Sequence, residues 1–189
     1  MSRRGELKVV TGNSHKFQEF QVIAGDKLKL SMINYPKLEI QADSLEEIVR
    51  FSAVSLYSVF REPMILEDSG LFIEALHDFP GPYTNYVKRT LDCEGVLKLM
   101  EGVKDRKATF RSVIAYVDDG EMRLFKGEVE GSISLSGRGN AGFGFDPIFI
   151  PAGSSRTFAE MSVEEKSRIS HRAMAMKRFL DFYLTSLQP

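Results

Sequence analysis

The chain has 189 residues, 43% hydrophobic and 27% charged, the balance of a soluble globular protein long enough to bury a substantial core. Its 25 basic and 26 acidic residues nearly cancel, so no global field favours nucleic acid or a membrane surface. Cys93 is the only cysteine, which excludes an intramolecular disulfide framework and a cysteine cluster for zinc.

Met1 to Lys8 is charged and lacks the apolar core of a signal peptide, and no apolar run approaches the roughly 20 residues of a membrane span. A cytoplasmic protein with no membrane or nucleic-acid partner is expected, with residues 1–189 forming one domain. Cys93 reads as a small half-buried apolar residue, because nothing around it marks a nucleophile.

Leu7 to Thr11 predicts a short buried strand, broken at Gly12-Asn13-Ser14. From about His15, residues Phe17, Phe20, Ile23 and Ala24 recur at helical spacing, and Gly25 is placed to end that helix. A strand, a short polar loop and a helix aim backbone N–H groups and the helix dipole at one point, where an anion binds. Leu28 to Ile33 predicts a second strand, and Leu38-Glu39-Ile40 an extended segment. Ser44 and Glu47 form a capping box ahead of a helix running to about Phe60.

Ile65-Leu66 then predicts a buried strand whose end delivers Glu67 and Asp68 to the edge of the sheet, before Ser69 and Gly70. Two readings of that stretch stand side by side. One is an ordinary strand-to-turn junction, since Asp, Ser and Gly favour turns. The other is an acid pair for a hard cation such as Mg²⁺, with a carboxylate to act on a water. The order β-α-β-α-β argues for an α/β fold.

Phe79-Pro80-Gly81-Pro82-Tyr83 reads as a rigid turn-rich loop, and Glu94 to Glu101 as a helix. Lys107–Val117 and Glu121–Ile133 alternate as strands around Asp119-Gly120, a hairpin signal that makes the sheet mixed. Gly137, Gly139, Gly142 and Gly144 crowd one loop, followed by Phe145 to Ile150 as a strand. That loop is either a flexible surface turn or a backbone that passes close to a ligand. Ser162 and Glu165 repeat the capping box ahead of Lys166, and Ser170 caps a last helix with His171 and Arg172 in its first turn. Cations there oppose the helix dipole, a conflict of the kind found at functional sites.

Thr11, Asn13 and Lys16 offer two hydrogen-bond donors and a mobile charge, a set suited to a polyphosphate but without the framework of a Walker A loop. Glu39 and Asp68 come from separate segments and match the one or two carboxylates that Mg²⁺ takes beside substrate phosphates.

Five segments together resemble the inosine triphosphate pyrophosphatase family, which hydrolyses non-standard purine nucleoside triphosphates. They are Thr11-Gly12-Asn13 through Lys16; Glu39; Glu67 to Leu71 with Phe79-Pro80-Gly81; Gly142 to Phe149; and Lys166 with Ser170-His171-Arg172. The resemblance implies a long mixed β-sheet flanked by helices, two lobes with a central nucleotide cleft, and a homodimer. It implies cleavage of ITP, dITP or XTP between the α- and β-phosphates, with Mg²⁺ as cofactor. By position, Thr11, Gly12, Asn13, Ser14, His15 and Lys16 would hold the phosphates. Glu39 and Asp68 would hold the metal, with Glu67 as a further candidate, and Asp68 would be the general base. Ser69 would touch substrate, and Phe143 would stack on the purine. Gly144, Phe145, Asp146 and Lys166 would line the pocket, and His171 and Arg172 would read the 6-oxo group. The chain departs from the family at Ala173, Pro82 and Asn85. A pyrophosphatase for other modified nucleotides and a nucleotide sensor without hydrolysis are the alternatives.

Overall fold

The computed structural model describes residues 6–35, 40–119 and 121–186. Glu39 lies outside them, so its expected place in the metal site is not described.

The chain runs β1 (Leu7–Val10), α1 (Ser14–Ala24), β2 (Leu30–Ile33), α2 (Leu45–Phe60), β3 (Met64–Ile73) and β4 (Phe79–Gly81). It continues with α3 (Thr84–Thr90), α4 (Asp92–Leu99), β5 (Lys107–Asp118), β6 (Glu121–Ile133), β7 (Phe149–Pro151), α5 (Val163–Ile169) and α6 (His171–Ser186). The sheet order is β2-β1-β3-β5-β6-β7, with β4 also on β3. β1 pairs in parallel with β2 and β3, and the remaining pairings are antiparallel. The mixed α/β sheet is the expected one.

Helices cover both faces. Phe20 and Ala24 of α1 pack with Met176, Phe179 and Leu180 of α6 over Ile65 and Ile114. On the opposite face Leu45, Val49, Ala53 and Leu56 of α2 pack over Met64, Leu66, Phe72 and Val113. A third core gathers Leu71, Ile73, Phe110, Phe145, Phe149 and Phe158 with Val87 and Val96 of α3 and α4. The long strands β3, β5 and β6 run through both regions, so the two lobes share one sheet.

Several expected boundaries move. The acids Glu67 and Asp68 do not end a strand: β3 continues through them to Ile73, in unbroken register with β5. The β2 strand starts at Leu30 rather than Leu28. The loop after Pro82 becomes α3, and the next helix is Asp92–Leu99. Asp146–Ile148 is a 3₁₀ turn with Pro147 inside its start, so only Phe149–Pro151 is strand. Proline suits a first turn because it has no N–H to leave unpaired.

The sheet is interrupted where it matters. β1 pairs with β3 only at Met64 and Ile65, and β4 pairs with β3 only at Leu71–Ile73. Among the described residues no strand pairs with Leu66–Gly70 on that edge. This notch lies beyond the C-terminal end of β1, where α1 departs to one face and α2 to the other. Such switch points are where open α/β sheets bind ligands.

Candidate active site

The first wall of the notch is the loop between β1 and α1. Thr11 Oγ1 accepts the Asn13 N–H at 3.1 Å, and Asn13 Oδ1 caps α1 by accepting the N–H groups of His15 and Lys16 at 3.0 and 3.1 Å. Gly12, Ser14 and His15 are exposed around this cap. Lys16, the third residue of α1, points at β3, with its Nζ 2.8 Å from Glu67 Oε2.

Side chains of β3 alternate across the sheet. Glu67 and Ser69 face α1 and α6, while Asp68 turns to the α2 side. Ser112 donates to Glu67 Oε1 at 2.8 Å, and Arg172 Nη2 lies 3.2 Å from the same oxygen. Burial pushes the Glu67 carboxyl up, but Arg172 and then Lys16 outweigh it and hold it far below the usual carboxylate range. Glu67 is thus the counter-ion of Lys16 and Arg172 in this structure. Asp68 is half-buried beside the notch. Gly70 is required behind it, because a Cβ there would meet the Gly81 carbonyl oxygen at 2.4 Å.

Arg172, 1% exposed, is the hub of the second wall. Its Nη1 donates to Glu19 Oε2 and its Nη2 to Ser69 Oγ, the latter at 3.1 Å. Lys166 Nζ donates to Glu19 Oε1 at 2.7 Å and to Asp146 Oδ2 at 2.6 Å. Burial raises the Glu19 carboxyl, and the Arg172 and Lys166 charges more than reverse it, so the net shift is downward. At Asp146 burial wins over Lys166, and the net shift is upward. Three cations, Lys16, Lys166 and Arg172, therefore face three buried acids, Glu19, Glu67 and Asp146.

His171 resolves the expected conflict at the start of α6. It is buried, stacked on Phe110 at 4.7 Å and 10°, and burial followed by the Arg172 charge lowers its pKa well below the ordinary value. A neutral imidazole does not oppose the helix dipole, and Arg172 beside it is compensated by two carboxylates. Ser170 Oγ accepts the Ala173 N–H as expected of a cap, and Ala173 is buried without disturbing the helix.

Phe143 closes the site, its ring 4.9 Å from Lys166 Nζ and 5.4 Å from the Arg172 guanidinium. Gly144 is half-exposed beside it. Phe145 does not line the pocket: its side chain is 1% exposed and packs in the third core. Open clefts of about 350 and 380 Å³ lie elsewhere, one by Tyr116 and Phe182 and one among Arg111, Lys126 and Arg178. Cys93 is half-buried, and burial pushes its thiol up to about 11, which leaves no thiolate for chemistry.

The structure thus joins Lys16, Glu67, Ser69, Phe143, Asp146, Lys166 and Arg172 on one side of β3, with Asp68 on the other. Sequence reasoning missed Glu19 and Ser112. The signal for Glu19 was a carboxylate beside Phe20 on the buried face of α1; that for Ser112 was a hydroxyl inside an apolar strand. A model described as the Ham1 family matches residues 7–182.

The chain belongs to the Ham1 family.

The dITP/XTP pyrophosphatase of Saccharolobus solfataricus is 52% identical over 184 residues, 96% of either chain. That of Thermococcus kodakarensis is 48% identical over 186 residues, covering 96% of this chain and 99% of the relative. Among solved structures, a HAM1 protein from Coxiella burnetii matches with a TM-score of 0.83 at 30% identity, covering 95% of this chain and 99% of that one. A nucleoside-triphosphatase, dITP/XTP pyrophosphatase, from Mycobacterium abscessus matches at 0.72 and 28% identity, covering 93% and 99%. The Ham1 likeness spans both walls of the notch.

Proposed function

We propose that this protein hydrolyses the non-standard purine nucleoside triphosphates ITP, dITP and XTP to the monophosphate and pyrophosphate. The observation that carries the reading is the convergence of Lys16, Lys166 and Arg172 at a notch in the sheet, with a separate carboxylate, Asp68, beside it. Water forms a bond to the α-phosphorus, the bridging bond to the β-phosphate breaks, and pyrophosphate leaves with the bridging oxygen. Lys16, on the loop side, can exchange Glu67 for phosphate oxygens and orient the chain of phosphates.

Asp68 takes the proton of the attacking water. Glu67, on the opposite face of β3, is engaged instead by Lys16, Ser112 and Arg172. Bound Mg²⁺ would neutralise charge on the phosphates, held by Asp68 and Glu39. Asp68, half-buried beside the notch, suits an ion that takes one or two carboxylates together with substrate oxygens. Among the described residues no three His, Cys, Asp or Glu converge into a dedicated metal cage.

Selectivity fits a 6-oxo purine. His171 Nδ1 and Arg172 Nε are buried without a hydrogen-bond partner among the described residues. An acceptor at position 6 satisfies the Arg172 Nε–H, and His171 Nδ1 in the tautomer that carries its proton there, whereas the amino group of adenine leaves them unpaired, worth as much as ~10⁴-fold. The reading includes a cytoplasmic homodimer working as one domain, with no nucleic-acid or membrane partner. Among the described residues no helix is long and apolar enough to cross a membrane.

The test is pyrophosphate release from ITP, dITP, XTP, GTP and ATP, with and without Mg²⁺. Release from the first three, dependent on Mg²⁺, is expected; equal turnover of ATP, or none of any, overturns the reading. Sedimentation checks the dimer.

A further inference from the structure

His15 sits among the six residues expected to hold phosphates, yet its side chain goes elsewhere. Its imidazole lies against the Phe143 ring, with centroids 5.5 Å apart and planes 20° from parallel. Lys16, the next residue, points at Glu67 instead. Adjacent helical residues diverge by about 100°, and residues four apart share a face. Accordingly Glu19, one turn beyond His15, is the residue that fixes Lys166 and Arg172 under the same Phe143 ring.

The Phe143 side is tied to the same network. Its N–H donates to Asp146 Oδ2 at 2.8 Å, the oxygen that also takes Lys166. Gly142, at φ +73°, turns the chain just before it, and a Cβ there would meet Asp146 Oδ2 at 2.2 Å. One helix turn of α1 therefore sends Lys16 toward the phosphates and a flat aromatic ring toward the residue expected to carry the base.

We propose that His15 is a base-binding residue: the purine enters between the His15 imidazole and the Phe143 ring, which part by one ring thickness to admit it. The proposal rests on the purine triphosphate reading above and reassigns His15 from the phosphates to the base. Two rings stacked on the two faces of a purine add affinity for any purine and none for a bare phosphate chain.

His15→Ala and His15→Phe test it, since His15 is exposed and its backbone cap by Asn13 does not depend on the side chain. Two quantities are read: KM for XTP from pyrophosphate release, and inhibition by inorganic tripolyphosphate, which has the charge but no base. His15→Ala should raise KM by about tenfold or more, leave tripolyphosphate inhibition in place, and be rescued by His15→Phe. Parallel weakening of tripolyphosphate, an unchanged KM, or failure of the phenylalanine to rescue overturns the proposal. If the wild type releases no pyrophosphate from any purine triphosphate, the functional reading fails separately. Titration with xanthosine monophosphate then decides on His15: affinity lost in His15→Ala and restored in His15→Phe supports it, and affinity unchanged in His15→Ala overturns it.

Discussion

Glu19 joins α1 to residues 147 and 153 positions later in the chain, and it does so from the protein interior. Removing one partner of a buried ion pair leaves the other charged and desolvated, so Glu19→Ala is expected to cost about 3–5 kcal/mol of stability. Urea unfolding measures it. Acid should act through the same residue. Its folded carboxyl titrates below the usual 4.5, so its stabilisation is complete above that value and is lost as pH falls through the lower folded one. His171 adds an earlier loss: its folded pKa lies well below the ordinary 6.5, so under that pH the unfolded chain takes a proton the folded one refuses. Thermal midpoints should therefore fall from about pH 6.5 downward, and Glu19→Gln should flatten the most acidic part. Asp68 is a different kind of carboxylate, half-buried beside the notch. Asp68→Asn should lower kcat by about 10²–10⁴, while melting stays near the wild type and nucleotide still binds, as read by product formation and titration.

Among the elements, the β3–β4 contact is the most exacting. Gly70→Ala would drive a methyl into the Gly81 carbonyl, so β4 must shift; a loss of about 1–3 kcal/mol is expected, with lowered activity. Thermal unfolding checks the first and pyrophosphate release the second. Elements written by local chemistry were legible in the sequence. Asn13 and Gly25 bracket α1, Ser44 and Ser162 cap α2 and α5, and Asp119 marks the β5–β6 hairpin. β3 was not, because Glu67-Asp68-Ser69-Gly70 has the composition of a turn. What keeps it extended is remote: Lys16 and Arg172 neutralise Glu67, and β5 pairs along its whole length. Phe145 misled for the same reason, since the third core that swallows it is assembled from β3, α3, α4, β5, β6, β7 and two 3₁₀ turns. The motifs that carry Lys16, Glu67, Asp146, Lys166 and Arg172 were readable in the sequence, whereas the sharing of acids and cations among them, with Glu19 at its centre, is a property of the fold.

The molecule as a whole divides its labour between three apolar cores and one charged seam. Folding rests on the cores and on ion pairs internal to the chain, whereas the proposed magnesium would serve the phosphates. Chelation of divalent cations should therefore abolish pyrophosphate release and leave the melting temperature of the nucleotide-free protein where it was. A fall in that temperature would mean that metal holds the lobes together.

The notch in β3 has one more consequence. Leu71 donates its N–H toward the β4 edge, to Thr84 Oγ1, so by alternation the amides of Glu67 and Ser69 point into the notch. The protein thus carries a built-in isotope clock at the notch. In deuterated water the Ser69 amide should exchange ahead of those of Ile65 and Leu71 on either side, and a bound nucleotide should slow it toward its neighbours.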